Sequence, residues 1–167
     1  MSEIELNPID FITVGTVGPK GKRQFNLQGG TPEGRVVTLI MEKEQARRLA
    51  EAVNELLDEL KRRKPDAPEK TINLNQLDMD LRDPIEPEFR ISQMGLGYDE
   101  EFDRIILVVE ELVIPPEESD FSEAEPSIVR FWGTREQYRA LAIHTLKVVD
   151  QGRPDPNQNG YTIYYWI

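Results

Sequence analysis

The chain uses one phrase twice. Residues 43–53 read Lys-Glu-Gln-Ala-Arg-Arg-Leu-Ala-Glu-Ala-Val, and residues 135–145 read Arg-Glu-Gln-Tyr-Arg-Ala-Leu-Ala-Ile-His-Thr. At a constant offset of 92, Glu44, Gln45, Arg47, Leu49 and Ala50 meet Glu136, Gln137, Arg139, Leu141 and Ala142. Each phrase follows a β-rich stretch (35–41 and 127–132) and opens a helical one. Self-similarity at a long period marks a supersecondary unit used more than once. The expected fold is therefore α+β: two βββα-like repeats, each an antiparallel sheet covered by its own helix.

The local signals fill in those repeats. Stretches 10–17, 22–28 and 35–41 read as strands, separated by the turn clusters Gly18-Pro19-Lys20-Gly21 and Gly29-Gly30-Thr31-Pro32. Ala46, Leu49, Ala50, Val53, Leu56, Leu57 and Leu60 then form an apolar stripe at helical spacing, which ends ahead of Pro65. Residues 65–87 are rich in Pro, Asp and Asn and read as a linker, with a short ordered piece around 72–81. Strands at 89–98, 102–113 and 127–132 follow. Thr134 caps a helix over 135–150 with Gln137 in the capping-box position, and its stripe is Tyr138, Leu141, Ala142, Thr145, Val148 and Val149. The chain divides into a first unit over 1–64, the linker 65–87, a second unit over 88–151 and a tail over 152–167. The tail's last stretch, 161–167, has very high β propensity. An aromatic ribbon of this kind needs a cover, from the chain's own sheet or from a partner.

Composition excludes several functions. The net charge of −11 argues against binding a phosphate backbone, which needs clustered Lys and Arg. The run Lys61-Arg62-Arg63-Lys64 closes a helix, where cations suit the dipole. There is no cysteine, so thiolate zinc sites and cysteine nucleophiles are out. No apolar run approaches membrane-spanning length, and the first residues lack a leader pattern. The expectation is a cytoplasmic chain with no nucleic-acid or membrane partner and no cofactor.

Three sets of phrases resemble a known family. They are Asp10-Phe11 with Gly15-Thr16-Val17-Gly18, Gly21, Arg23, Phe25, Leu27-Gln28, Glu42-Lys43 and Gln45; then Phe89-Arg90 with Met94-Gly95-Leu96-Gly97-Tyr98-Asp99 and Asp103-Arg104; then Gly152-Arg153-Pro154 with Asn159-Gly160-Tyr161. The chain resembles the uncharacterised bacterial family called domain of unknown function 3090. The resemblance implies no established activity, substrate or catalytic residue. It implies a Cys/His-rich, zinc-knuckle-like insert between the last two phrases in many members. Here that stretch is Asp155-Pro156-Asn157-Gln158, with no soft ligand, so no metal site carries over.

The remaining constellations weigh towards bland readings. Asp78, Asp80, Asp83 and Glu86 invite a calcium reading, but an EF-hand loop begun at Asp78 needs Gly at 83 and Glu at 89, where Asp83 and Phe89 stand. Glu110, Glu111, Glu117, Glu118, Asp120, Glu123 and Glu125 read as a solvated acidic stretch. His144, the one histidine, reads as a packed or surface side chain. Gln28, Arg90, Tyr98, Asp99, Asp103 and Arg104 are the ligand-binding candidates, with cross-strand pairing as the alternative. No nucleophile–base set or phosphate loop emerges, so no catalytic residue is assigned. The expected function is a non-catalytic binding or assembly module, a homodimer or a protein's partner. The alternative is a hydrolase or transferase using carboxylates and arginines in a cleft between the halves.

Overall fold

A computed structural model describes residues 2–19, 21–64, 69, 72–114 and 125–151. The chain runs β1 (Glu3–Leu6), β2 (Phe11–Val17), β3 (Gln24–Gly30), β4 (Val36–Met41), α1 (Lys43–Arg63), a short 3-10 turn (Leu74–Gln76), β5 (Pro87–Asp99), β6 (Arg104–Glu111), β7 (Ile128–Gly133) and α2 (Arg135–Gln151). The fold is α+β. The tail over 152–167 and its aromatic stretch lie outside the described residues.

The strands form one mixed sheet of seven in the order β1-β7-β6-β5-β4-β3-β2, where two antiparallel sheets were expected. The join lies in β5, whose 13 residues serve two neighbours. Phe89 and Arg90 pair in parallel with Leu39 and Ile40 of β4, while Gln93 through Asp99 pair antiparallel with β6. β1, which sequence reasoning left unassigned, makes the same kind of parallel contact with β7 (Leu6 opposite Phe131). The chain then turns through Asn7-Pro8 and enters β2, at the other end of the sheet. The Ile9 N–H donates to the Trp132 carbonyl of β7 at 2.9 Å, and the Asp10 N–H donates to the Gly30 carbonyl of β3 at 2.9 Å. The sheet therefore curls until its ends meet, and little unpaired edge is left there.

Gly29 and Gly30 were read as a turn and instead complete β3. The curl explains it. A Cβ on Gly29 would come within 2.7 Å of the Phe131 ring, and one on Gly30 within 2.4 Å of the Phe11 ring. Only glycine permits that approach.

Both helices bury the stripes read from their sequences. Ala46, Leu49, Ala50, Val53, Leu57 and Leu60 of α1 are buried, as are Tyr138, Leu141, Ala142, Thr145 and Val149 of α2. Each fully buried Leu or Val contributes about 1.5–3 kcal/mol. The helices pack on each other. α2 lies against β2, and α1 meets β5. This corrects the expectation that each helix covers its own meander. The topology gives the reason: each helix follows the third strand of a meander, and the strand beside that third strand belongs to the other meander. A helix folding back lands there. Among the described residues, no helix is long and apolar enough to cross a membrane.

The stretch read as a solvated linker is packed. Residues 77–82 form a strap over the outer face of β2 and β3. The Thr13 hydroxyl donates to the Met79 carbonyl at 2.6 Å, and Leu81 fills the space above Gly15, where a Cβ would meet it at 2.6 Å. The Arg82 guanidinium stacks 3.6 Å from the centre of the Phe11 ring. Gln28 fastens the strap: its Oε1 accepts from the Arg82 N–H at 2.7 Å, and its Nε2 donates to the Arg82 carbonyl at 2.9 Å.

Candidate ligand site at the seam between α1 and β5

Gln45 pins α1 to β5 at one point. Its Oε1 accepts from the Glu42 N–H at 2.8 Å. Its Nε2 donates to the carbonyls of Ile91 and Ser92, each at 3.2 Å. Beyond that bridge the two elements part, and a groove of about 370 Å³ opens. Its floor is Leu49, Met94, Leu96 and Leu107, and its rim carries Gln45, Arg48 and Gln93. Ala52 and Gly95 are small, and a Cβ added to Gly95 meets nothing within 4 Å. This part of β5 also has a free edge, because its pairing with β4 stops at Arg90 while Gln93–Asp99 pair with β6 alone. Such an edge presents unsatisfied backbone N–H and C=O groups. Arg48 is exposed and forms no ion pair among the described residues.

On the other side of the bridge lies a depression of about 480 Å³ lined by Lys22, Arg23, Lys43 and Arg90, together with Glu42. Arg90 pairs with Glu42 at 2.8 Å. Four cations meet here in a chain of net charge −11. The α1 N-terminus, which begins at Lys43, adds its dipole.

The junction between α2 and β2 is built from similar parts but is closed. Gln137 accepts from the Thr134 N–H at 2.9 Å and donates to the Ile9 carbonyl at 3.0 Å. The ring of His144 reaches the strand, with Nε2 3.0 Å from the Val14 carbonyl oxygen. A carbonyl can only accept, so Nε2 carries the proton. Burial holds the imidazole pKa below its usual value, against the pull of the Val14 carbonyl and of Asp80, with Lys147 adding to the lowering.

Four of the sequence candidates gather at the β5–β6 hairpin. The Tyr98 hydroxyl donates to Asp103 Oδ1 at 2.7 Å, and Arg135 Nε donates to the same oxygen at 2.9 Å. Arg135 opens α2 and is only 4% exposed. A cation at that end of a helix opposes the dipole, so the carboxylate is needed beside it. Burial pushes the Asp103 carboxyl upward, but the bonds from Tyr98 and Arg135 outweigh it and the pKa falls below the usual range. Asp99 Oδ1 accepts from the N–H groups of Glu101 and Phe102 at 2.9 and 3.2 Å, which shapes the turn. Arg104 donates to the carbonyls of Phe102 and Asp103 at 2.8 and 3.1 Å. Gln28 and Arg90 stand apart from this cluster: Gln28 is buried under the strap, and Arg90 lines the basic depression.

A family model described as protein of unknown function (DUF3090) matches residues 4–160. The chain belongs to that family. Neither the curated proteins nor the solved structures compared with it contain a match. The phrases that carried the resemblance are spread over this DUF3090 fold, yet Gly21, Arg23, Phe25, Glu42, Lys43 and Arg90 meet around the one basic depression.

Sequence reasoning missed Arg48, Ala52 and the free edge of β5. One signal was present: at the offset of 92, Ala52 stands where the second phrase has His144. It also missed Arg139 as an organiser. That side chain donates to Asn54 at 2.7 Å, to Asp58 at 3.0 Å and to both oxygens of Glu69 at 2.9 and 3.1 Å, tying α2 to α1. The carboxylates read against a calcium loop serve local backbone instead, with Asp78 accepting from the Asp80 N–H at 3.1 Å. Of the acidic stretch, Glu110 accepts from Gln93 and Glu111 from the Ser127 N–H, and the part over 115–124 lies outside the described residues.

Proposed function

We propose that the chain is a non-catalytic binding module made of two βββα units, β2–β4 with α1 and β5–β7 with α2, and that its ligand sits in the seam between α1 and β5. The two-unit reading draws support from cross-strand rows. Val14, Leu27 and Leu39 stand side by side across β2, β3 and β4. Leu96, Leu107 and Phe131 stand side by side across β5, β6 and β7. Leu39 and Phe131 are separated by the same 92 positions as Gln45 and Gln137. Those two glutamines make matching bonds: each accepts from its helix's capping residue and donates to a carbonyl at the start of the other unit's first strand.

On this reading Leu96 is the counterpart of Val14, and Ala52 the counterpart of His144. The observation that carries the function is the difference between them. In one unit an imidazole fills the space between helix and strand and satisfies the strand's carbonyl. In the other a methyl group stands in its place, and the space is an open groove with an apolar floor. Its volume lies within the range of small-ligand sites, which are mostly apolar with a few placed polar groups. Of the six residues expected to bind a ligand, Arg90 is kept, as an anion-binding contact beside the groove.

Amide spectra of the full chain, titrated with a mixture of small apolar carboxylates, amides and alcohols, test the site. Shifts at Gln45, Ala52, Gly95 and Leu96 that disappear in Ala52→His are expected. A screen in which no compound moves those amides would sink the assignment.

A further inference from the structure

Resting on that reading of the seam, we infer that the occupant of the groove is an extended peptide segment bearing an acidic residue, added as a strand to the free edge of β5. Three requirements of the site converge on this chemistry. The first is hydrogen bonding. From Gln93 to Asp99 β5 has a strand partner on one side only, and that stretch borders the groove. A backbone running alongside would supply alternating N–H and C=O groups at the spacing the edge presents. The closed junction shows what such an edge accepts, since at Val14 an N–H from the His144 ring meets the carbonyl at 3.0 Å. An aliphatic chain carries no donor and would leave the edge unsatisfied, which costs about 1–3 kcal/mol for each buried group.

The second requirement is apolar. Leu49, Met94, Leu96 and Leu107 line one side of the groove. A strand presents every second side chain to one face, so alternating apolar residues would descend onto that floor. Gly95 leaves the facing backbone bare, with open space where a Cβ would stand, so a second backbone can lie close to it. The third is charge. Arg48 projects at the rim without an ion pair among the described residues, and an acidic side chain on the outward face of the added strand meets it. In a chain of net charge −11, general attraction does not bring an acidic peptide, so the preference rests on Arg48 and the cations beyond Gln45.

The test pans a phage-displayed heptapeptide library against the full chain and, in parallel, against Ala52→His and Arg48→Glu. Winning peptides are remade and titrated while amide spectra are recorded. The expected result on the native chain is enrichment of alternating apolar residues with an Asp or Glu, and shifts at Ser92, Met94 and Leu96. Ala52→His should lose these peptides. Arg48→Glu should exchange the acidic preference for a basic one, with the original peptides bound roughly two- to fivefold more weakly, as befits an exposed pair. Peptides enriched equally on the native chain and on Ala52→His would overturn the inference. So would enrichment with no change of charge preference in Arg48→Glu. A groove that answers octanoate but no peptide would overturn it too, while leaving the binding module standing.

Discussion

The two helix–strand junctions use a common frame and end differently. At α2 and β2, Gln137 bridges to Ile9, His144 bonds Val14, and Leu141 is sealed from solvent. At α1 and β5, Gln45 bridges to Ile91, but Ala52 leaves a groove in which Leu49 forms part of the floor. The contrast teaches where to look for function in a fold built from like parts. A packed junction is what stability alone would favour, and the junction left open is the one with another use. It also separates two kinds of apolar residue. Leu141 packs on all sides, whereas Leu49, though only 3% exposed, faces a space that can adjust.

The sharpest way to break this contrast is to truncate both leucines. Leu141→Ala should cost about 3–5 kcal/mol, because a cavity opens inside a closed junction. Leu49→Ala should cost about 2 kcal/mol, since its site already borders an opening and leaves less new void. Chemical denaturation of both variants checks this. Equal losses would mean the two junctions are packed alike and that the groove is no more than surface relief.

A second comparison sets the outer face of β2 and β3 against that of β5 and β6. The first is covered by the strap, and Asn26 and Gln28 beneath it are fully buried. The second has no cover among the described residues, and Ile106 and Val108 are half-buried. Gln28→Leu removes both bonds to Arg82 and the one to Thr38 at 3.0 Å. It should cost about 1–3 kcal/mol, because the Arg82 backbone groups lose their buried partner. Cleavage by a protease should become faster within residues 77–82. Unchanged resistance to digestion there would show that Thr13 and Leu81 hold the strap without Gln28.

Much of the fold was legible in the sequence because periodicity carries it. The stripes of α1 and α2, the capping glutamines and most strand centres follow from spacing alone. The single curled sheet did not. Parallel contacts such as Leu39 with Phe89 and Leu6 with Phe131 join segments far apart in the chain, and no local pattern encodes them. The strap was hidden for a related reason. Asp78, Asp80 and Asp83 make the stretch look solvated, whereas its anchorage runs through the backbone of Met79 and Arg82. For the site, spacing pointed to Tyr98, Asp99, Asp103 and Arg104, which became one hairpin's internal bonds. The groove depends on a small residue, Ala52, and small residues draw no notice until a larger counterpart such as His144 shows what is missing.

The finest probe of the contrast is pH, because the closed junction contains the chain's one histidine. In the unfolded chain its imidazole takes up a proton near pH 6.5. In the fold, burial favours the neutral form and the pKa lies lower. Between those two values the unfolded state binds more protons, so stability falls as pH drops. The contribution is fully present above about pH 6.5 and is lost on acidification towards the folded pKa. Protonation leaves the Nε2–H to Val14 in place and adds a charge inside the junction, near Lys147. Asp80 offsets part of that charge, so the effect is modest, about 1–2 °C in Tm. His144→Gln keeps a donor for the Val14 carbonyl and does not titrate. Between pH 7 and 5, where histidine is the side chain that ordinarily changes charge, its Tm should fall less than that of the native chain. Ala52→His places a second imidazole at the open junction, beside Arg48 and bordered by solvent, and should steepen the decline only if the groove buries it as the closed junction buries His144. Parallel Tm curves for the native chain and His144→Gln would mean that the closed junction admits water to the ring, and the distinction between the two junctions would then rest on shape alone.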